Sequence, residues 1–369
     1  MIPICAAPKR FAASLRCKSS SYSRFGKIMS SSSRSPITQS VKRFSTVSSL
    51  NLYGPREDSW WTGKKPIRGE CPGVGSDGKI RSLPMVNFHP QVCTKQALID
   101  YFNNGWTITE VLFSSLQGEE AFMTPPYHNL RHPLIFYYGH NASVFVNKMR
   151  VAGVIKDPVN PYFESIFETG VDEMSWDDMA KNEMTWPSVT EVRNYRKVVY
   201  DLIMSKLESL SESEVRSITM DHPLWSIGMG CEHERIHIET TSFLLNEAKI
   251  DHVKFPEYFP SYHESVNLDH TSKVNYDPVS GVDYPMNEFI DVSSQTVKLG
   301  KPQSFPTFGW DNEYGNRHYE IPEFRGSKYL ISNGEFLEFV KDGGYAKREL
   351  WTDEGWRWRA FRNVKVCIS

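Results

Sequence analysis

The chain has 369 residues, a formal net charge of −2, 40% hydrophobic residues and 13% aromatic residues. This apolar content excludes a chain that is disordered throughout, and no apolar run reaches the roughly 18 residues of a membrane-spanning helix. Six cysteines with no Cys-x-x-Cys pair argue against a disulfide scaffold and a zinc ribbon, and the length predicts about two domains.

Charge is distributed unevenly along the chain. Residues 1–56 hold ten Lys or Arg and no acid, and the remainder holds 32 basic and 44 acidic residues. The first 50 residues include 14 Ser, a composition typical of an organelle transit peptide. We therefore predict a disordered transit peptide at residues 1–50 and a mitochondrial location, with a basic tail on a cytoplasmic protein as the alternative. The acidic remainder predicts no nucleic-acid partner, and the absence of a long apolar run predicts no membrane association.

The middle of the chain has the periodicity of helices. Residues 51–92 are rich in Pro and Gly and predict an irregular lead-in. Residues 93–250 then contain four long amphipathic segments, which predict an antiparallel four-helix bundle. These segments begin at Thr94, cover residues 133–154, open at the capping box of Ser188 and Glu191, and cover residues 223–248. Residues 157–176, between the second and third segments, are rich in Asp, Pro and Asn and predict a loop.

Beyond residue 250 the composition changes. Prolines interrupt residues 251–284, which we interpret as a linker. Residues 285–369 are aromatic and rich in turn-forming residues, and they predict a second, α+β domain. Within it, residues 289–299 are strand-like and residues 333–340 form the one predicted helix.

The fourth bundle helix carries the candidate chemistry. His233 and His237 are four residues apart, so they project from one helix face. The other residues of that face, Met229, Thr240 and Leu244, are mostly apolar, and two buried imidazoles are costly unless they have partners. A divalent metal ion would offset that cost by accepting both ring nitrogens. We therefore predict a metal site, with two hydrogen-bonded core histidines as the alternative.

One interpretation of this pair is a zinc metallopeptidase. The run from His233 through Glu234 to His237 matches the His-Glu-x-x-His signature, in which the Glu is the general base. The extended form of the signature has Gly and His where this chain has Thr240 and Phe243. No clear downstream Glu helix supplies a third ligand either, so the peptidase stays an alternative.

A third histidine from a neighbouring bundle helix gives a different site. His140 lies mid-helix, and Gly139 beside it leaves room for close approach. Three neutral His ligands leave a divalent ion its full charge and open positions, which suits non-haem Fe(2+) with a thiolate and O₂. We therefore predict an Fe(2+) site of His140, His233 and His237. Three rival ligands, interpreted as loop or supporting residues, are His128, His132 and His222.

Several long motifs of this chain are those of a known family. They read TPPYH (124–128), LRHPLIFYYGH (130–140), NPYFE (160–164), FETGVDEMSWDDM (167–179) and EHERIHIET (232–240). These motifs closely resemble the 5-histidylcysteine sulfoxide synthases of ovothiol biosynthesis, which are related to the ergothioneine sulfoxide synthases. The resemblance runs from about Tyr53 to the C-terminus.

The resemblance implies a fold for both halves of the chain. It implies a DinB-like four-helix iron-binding bundle at residues 93–250, followed by a formylglycine-generating-enzyme-like domain of C-type-lectin type at residues 285–369. FGWDNE (308–313) resembles the opening of that second domain, and WTDEGW (351–356) resembles a later stretch. Because the family's second domain is longer, we expect this chain to hold an incomplete, C-terminally truncated version of it.

The resemblance also implies an activity. The family's three-His iron site maps onto His140, His233 and His237. The implied reaction joins the sulfur of L-cysteine to C5 of the L-histidine imidazole with O₂ and gives 5-histidylcysteine sulfoxide. We predict this iron-dependent oxidoreductase activity, with Fe(2+) as cofactor and no assigned catalytic residue beyond the ligands. The alternatives are the zinc metallopeptidase and an inactive truncated bundle protein.

Overall fold

The computed structural model describes residues 50–126, 131–168, 185–261 and 277–365. All but one residue of the predicted transit peptide, residues 1–50, lie outside this part of the chain. Within the described ranges, none of the helices combines the length and the hydrophobicity that a membrane crossing requires.

Four long helices form the bundle-like part of the chain, and three short helices join them. The seven are α1 (Lys95–Phe113), α2 (Glu119–Met123), α3 (Leu134–Val151), α4 (Pro161–Ile166), α5 (Val189–Ser209), α6 (Glu212–Arg216) and α7 (Trp225–Glu247). Helices α1 and α3 each contact both α5 and α7, so the four long helices enclose one core. The four predicted amphipathic segments are therefore confirmed as helices.

Side-chain caps start two of these helices where the sequence predicts. The hydroxyl of Thr94 accepts a hydrogen bond from the Ala97 amide at the start of α1. At the start of α5, the Ser188 hydroxyl accepts from the Glu191 amide and the Glu191 carboxylate accepts from the Ser188 amide. These bonds satisfy amide groups that have no partner inside the helix.

Aromatic side chains fill the interior between the helices. The Phe102 ring of α1 lies 5.6 Å from the rings of both Phe145 on α3 and Tyr200 on α5. Helix α7 approaches this layer through Gly230, where a Cβ atom would lie 2.2 Å from the Phe145 ring. A glycine at this position thus lets α7 pack closely against α3, which places the α7 histidines beside His140.

The last described segment, residues 277–365, is a small α+β region. Its strands are β1 (Phe289–Val292), β2 (Gln295–Leu299), β3 (Arg317–Ile321) and β4 (Phe324–Ser327), and its helices are α8 (Asn333–Lys341) and α9 (Asp353–Arg362). The strands form two antiparallel pairs, β1 with β4 and β2 with β3. In register, Val292 pairs with Phe324 and Val297 pairs with Tyr319. The mixed α and α+β composition predicted from sequence is confirmed, whereas the DinB-like and formylglycine-generating-enzyme-like folds and the domain boundaries stay predictions.

Three local predictions were wrong. The loop predicted at residues 157–176 contains α4, which the Asn160 side chain caps by accepting from the Tyr162 and Phe163 amides. The single strand predicted at residues 289–299 is two strands in different sheets, because Ser293 and Ser294 belong to neither strand and the strands on either side of them pair with different partners. Helix α9 was not predicted, although Thr352 caps it. Five of its ten residues are charged, and they form no clear amphipathic pattern.

Candidate metal centre

Helices α3 and α7 bring three imidazoles to one point. The Nε2 atom of His233 lies 3.2 Å from Nε2 of His140 and 3.2 Å from Nε2 of His237. All three ligand atoms lie within 4.8 Å of one another, and no second three-ligand cluster occurs in the described ranges. The structure thus brings together the three predicted ligands.

The two α7 ligands share a face, as their spacing predicts. Met229, Thr240 and Leu244 lie on the same face, and all three line a cavity together with the histidines. The third ligand comes from the middle of α3, which packs against α7 along much of its length. The site therefore depends on the contact between two long helices.

A main-chain carbonyl orients His140. Its Nδ1–H donates to the carbonyl oxygen of Phe167 over 2.5 Å, which leaves the lone pair on Nε2 facing the other two histidines. Gly139 makes this bond possible, since a Cβ atom there would lie 2.5 Å from the Phe167 ring. The predicted room beside His140 is thus present, and Phe167 occupies it.

Burial keeps the three imidazoles neutral. It lowers the pKa of His140 to about 4, that of His233 to about 2 and that of His237 to about 3. Neighbouring imidazoles contribute further, because the charge of any one of them disfavours a charge on the next. The neutral ring is the form that ligates a metal ion.

The donor set fits a divalent metal ion. Nitrogen ligands about 2.1 Å from a common ion lie roughly 3.0–3.4 Å apart, and the two separations from His233 are both 3.2 Å. The Nδ1 atoms of His233 and His237 are buried and have no hydrogen-bond partner among the described residues, so the Nε2 contact is the one polar contact that orients these rings. A bound cation would accept all three lone pairs at once.

The three histidines form part of the wall of a cavity of about 600 Å³. Aromatic and aliphatic side chains line it together with charged and polar ones. The lining residues outside the histidines and their face-mates are Arg131, Phe136, Tyr137, Val144, Lys148, Glu168, Ile236, Trp310, Asp311 and Asn312. The metal centre is therefore open on one side to a space of the size that small-molecule sites have.

The acidic residues beside the ligands face away from this cavity. The Glu232 carboxylate accepts a hydrogen bond of 2.5 Å from the Tyr101 hydroxyl of α1. Glu234 is 1% exposed, and its carboxylate lies 3.9 Å from the guanidinium of Arg196 on α5. A general base must reach the water or substrate at the metal, and Glu234 does not line the cavity, so the geometry does not support the zinc-peptidase alternative.

The other candidate side chains lie elsewhere. The His132 ring packs 4.4 Å from the Phe136 ring, and the Nδ1 atom of His222 accepts from the Leu224 amide. Neither belongs to the cluster, and His128 lies outside the described residues. Cys231 is buried, and burial raises the pKa of its thiol to about 12, which is consistent with a side chain directed away from the metal face.

Sequence reasoning missed several residues at the site. The Phe167 carbonyl leaves no trace in a sequence pattern, because any residue carries a carbonyl. Lys148 could have been found, since it lies eight residues after His140 and therefore close to the same helix face. Trp310 and Asp311 could not, because nothing local relates them to α3 or α7.

Comparison with known proteins supports a relationship to enzymes of ergothioneine biosynthesis. No family model matches the chain. The chain is 26% identical over 341 residues to ergothioneine biosynthesis protein 1 of Neurospora crassa. This alignment covers 85% of this chain and 35% of that protein. The chain is 24% identical over 253 residues to the protein of the same name from Schizosaccharomyces pombe, covering 59% of this chain and 30% of that protein.

A shorter similarity links the chain to a bacterial enzyme. Over 61 residues it is 34% identical to hercynine oxygenase of Mycolicibacterium thermoresistibile, covering 16% of this chain and 14% of that protein. The chain spans about a third of the length of the fungal relatives. These similarities confirm the relationship to proteins of ergothioneine biosynthesis that the motifs predict.

Proposed function

We propose that this chain carries the metal site of a non-haem iron(II) sulfoxide synthase. The reaction joins the sulfur of L-cysteine to C5 of the L-histidine imidazole and gives 5-histidylcysteine sulfoxide. One O₂ balances it: one oxygen atom enters the sulfoxide, and the other leaves as water with the thiol hydrogen and the C5 hydrogen. The observation that carries the proposal is the convergence of three neutral Nε2 atoms on the wall of a large cavity.

Iron(II) would supply redox chemistry towards O₂ and a thiol, which amino-acid side chains lack. His140, His233 and His237 would hold it. The bond from His140 Nδ1–H to the Phe167 carbonyl keeps the Nε2 lone pair directed at the ion. Because all three ligands are neutral, the ion keeps its charge and favours an anionic thiolate partner.

The cavity walls would exclude water and position the substrates. Phe136, Val144, Met229 and Leu244 provide apolar surface that limits water near the ion. A volume of about 600 Å³ lies within the range of about 300–1,000 Å³ for small-molecule sites. Two small amino acids held side by side gain from proximity and orientation, which is how the sulfur and the imidazole carbon would be directed to each other.

The finer assignment to free cysteine and histidine rests on the sequence motifs. The similar proteins are named for ergothioneine and hercynine, so the same metal site is also compatible with the Nα-trimethylated form of histidine. Both forms therefore belong in the test.

The test uses the full-length protein loaded with iron(II) without oxygen. L-cysteine and L-histidine are added, O₂ is admitted, and O₂ uptake and product mass are followed. We expect a product with the mass of both amino acids plus one oxygen atom minus two hydrogens. His140→Ala should abolish both iron binding and product, whereas His222→Ala, at the rival ligand, should keep both. An iron-loaded protein that gives no O₂-dependent product from either form of histidine would overturn the proposal.

A further inference from the structure

Two opposite charges face the same cavity without pairing. Lys148 of α3 and Asp311 both line it. No ion pair within 4.0 Å joins either side chain to an oppositely charged group among the described residues, although Arg150, two residues after Lys148, pairs with Glu164 at 3.5 Å. Charged groups that share a cavity and stay apart leave space for a ligand with two complementary charges.

Lys148 lines the same cavity as the three histidines and lies on the same helix as His140. It lies eight residues after His140, which is about 12 Å along a helix axis. Long helical side chains lean back towards the N-terminus, so the ammonium group covers the turn between Lys148 and His140. Burial is the main cause of the lowered pKa values of His140 and His233, and the charge of Lys148 makes a smaller contribution in the same direction. The Lys148 charge therefore acts on the metal centre.

Asp311 reaches the cavity from a segment outside α3 and α7. The Phe308 ring lies 5.4 Å from the Trp225 ring at the start of α7. The Lys301 ammonium donates to the Phe308 carbonyl and, over 2.9 Å, to the Thr307 hydroxyl. The Phe308–Trp225 contact thus packs the segment that contains Trp310 and Asp311 against the bundle, and the Lys301 bonds tie Thr307 and Phe308 to the rest of the C-terminal region.

One oxygen of the Asp311 carboxylate already accepts a hydrogen bond. Its Oδ1 atom accepts from the Asn312 amide over 3.0 Å, and the Trp310 amide donates to the Glu313 carboxylate over 2.7 Å. The second oxygen of Asp311 has no hydrogen bond from the described residues. It can accept from a ligand, and the Trp310 ring beside it offers a flat apolar surface for an aromatic ligand.

We propose that Lys148 and Asp311 form a zwitterion subsite for the histidine substrate. Lys148 binds the α-carboxylate, Asp311 accepts from the α-ammonium group, and Trp310 flanks the imidazole. The inference rests on the proposed function and deepens it, because it makes the free amino acid the preferred form. A trimethylated ammonium group has no N–H to donate to Asp311.

Histidine rather than cysteine is assigned to this subsite because the substrate must extend from Lys148 to the metal centre. The anchor lies two helical turns from His140, and histidine is the longer of the two amino acids between its carboxylate and its reacting atom. Arg131 and Glu168 bring a second pair of opposite charges to the lining, so cysteine binding serves as an internal comparison in the test.

The test measures calorimetric binding to the full-length, iron(II)-loaded protein without oxygen. The ligands are L-histidine, hercynine, which is Nα-trimethylated histidine, and L-cysteine. Two analogues complete the set: histamine, which lacks the carboxylate, and imidazolepropionate, which lacks the ammonium group. Lys148→Met should weaken histidine binding about tenfold and leave histamine unchanged, and Lys148→Arg should restore histidine binding. Asp311→Asn should weaken histidine about tenfold and leave imidazolepropionate unchanged.

A matched pair of controls comes from α5. Lys197 and Asp201 form an exposed ion pair of 2.5 Å outside the cavity, so Lys197→Met and Asp201→Asn should change no affinity. Equal losses for histidine and histamine in Lys148→Met, a loss for cysteine instead of histidine, or hercynine binding as tight as histidine binding would each overturn the inference.

The outcomes separate this inference from the proposed function. If the wild-type protein forms the sulfoxide but the Lys148 and Asp311 variants show no ligand-selective loss, the subsite alone is wrong. If the ligand-selective losses are found but no sulfoxide forms, the subsite stands and the proposed reaction fails.

Discussion

The imidazole of His140 is bound through its Nδ1–H to the main-chain carbonyl of Phe167, 27 residues further along the chain. This bond decides which ring nitrogen faces the cavity, and it links the metal centre to the segment that follows α4. Gly139 is the residue that lets Phe167 approach, because any side chain there would overlap the Phe167 ring.

We expect Gly139→Ala to weaken metal binding without unfolding the bundle. The added methyl group would displace the Phe167 ring and its carbonyl, and loss of a supporting hydrogen bond of this kind typically costs about 10–100-fold in metal affinity. Competition with a chelator of known affinity measures the change. Adding Phe167→Leu should make room for the methyl group and recover part of the affinity. Unchanged affinity in Gly139→Ala would show that the Phe167 contact does not orient His140.

The metal-free protein should lose stability as the pH falls from 7 to 5. In the folded state the pKa values are about 4, 2 and 3 for His140, His233 and His237, whereas in the unfolded chain they are near 6.5. Below about pH 6.5 the unfolded state therefore takes up protons first, and stability falls as the pH falls. Between pH 7 and pH 5 each histidine contributes up to about 2 kcal/mol to this loss.

Urea unfolding at the two pH values, with a chelator present, measures this dependence. His233→Gln removes one of the buried titrating groups, so its loss between pH 7 and pH 5 should be smaller than that of the wild type by up to about 2 kcal/mol. Equal pH dependence in both proteins would show that His233 titrates normally in the folded state.

Arg196→Met should destabilise the bundle strongly. The guanidinium is fully buried, lies 4.2 Å from the Trp106 ring centroid and donates to the Tyr138 carbonyl over 3.0 Å. Within the described ranges it is the one cation within 4.0 Å of the buried Glu234 carboxylate. Burial raises the pKa values of Glu234 and Glu110, and the charge of Arg196 counteracts that rise at both. Removing one partner of a buried ion pair typically lowers the free energy of unfolding by about 3–5 kcal/mol.

Denaturant unfolding with Lys197→Met as the control tests this expectation, since Lys197 is the next residue of α5 and is exposed. Adding Glu234→Gln to Arg196→Met should recover part of the loss, because one uncompensated carboxylate is then removed. A loss below about 1 kcal/mol in Arg196→Met would mean that the buried carboxylates are already protonated in the wild type.

Glu234→Gln on its own distinguishes the two metal chemistries. Glu234 lies outside the cavity against Arg196, so we expect this isosteric change to keep one iron per chain and to keep product formation within about threefold. A zinc peptidase would lose its general base and with it about 100-fold or more in activity. Metal analysis together with O₂-dependent product formation decides between these outcomes.

Much of the local architecture follows from the sequence. The helical periodicity that begins at Thr94 and the capping box of Ser188 predict two helix starts that the structure confirms. The spacing of His233 and His237 places both rings on one face, since 3.6 residues make a helical turn. By contrast, the two strands β1 and β2 read as one, because two short exposed strands in succession carry the same alternating pattern as a single long strand.

By itself, then, the sequence determined the long helices, the paired histidines of α7 and the resemblance to sulfoxide synthases, because caps, periodicity and motifs act between residues close along the chain. The sequence also named His140 as the third ligand, but only the tertiary structure decided how it meets that pair, that the Phe167 carbonyl orients it, that Glu234 lies against Arg196, and that Asp311 and Lys148 line one cavity. Each of these relationships joins residues far apart in the chain. They depend on how α3, α5 and α7 pack, and that packing is set by the shape of the whole core rather than by any local pattern.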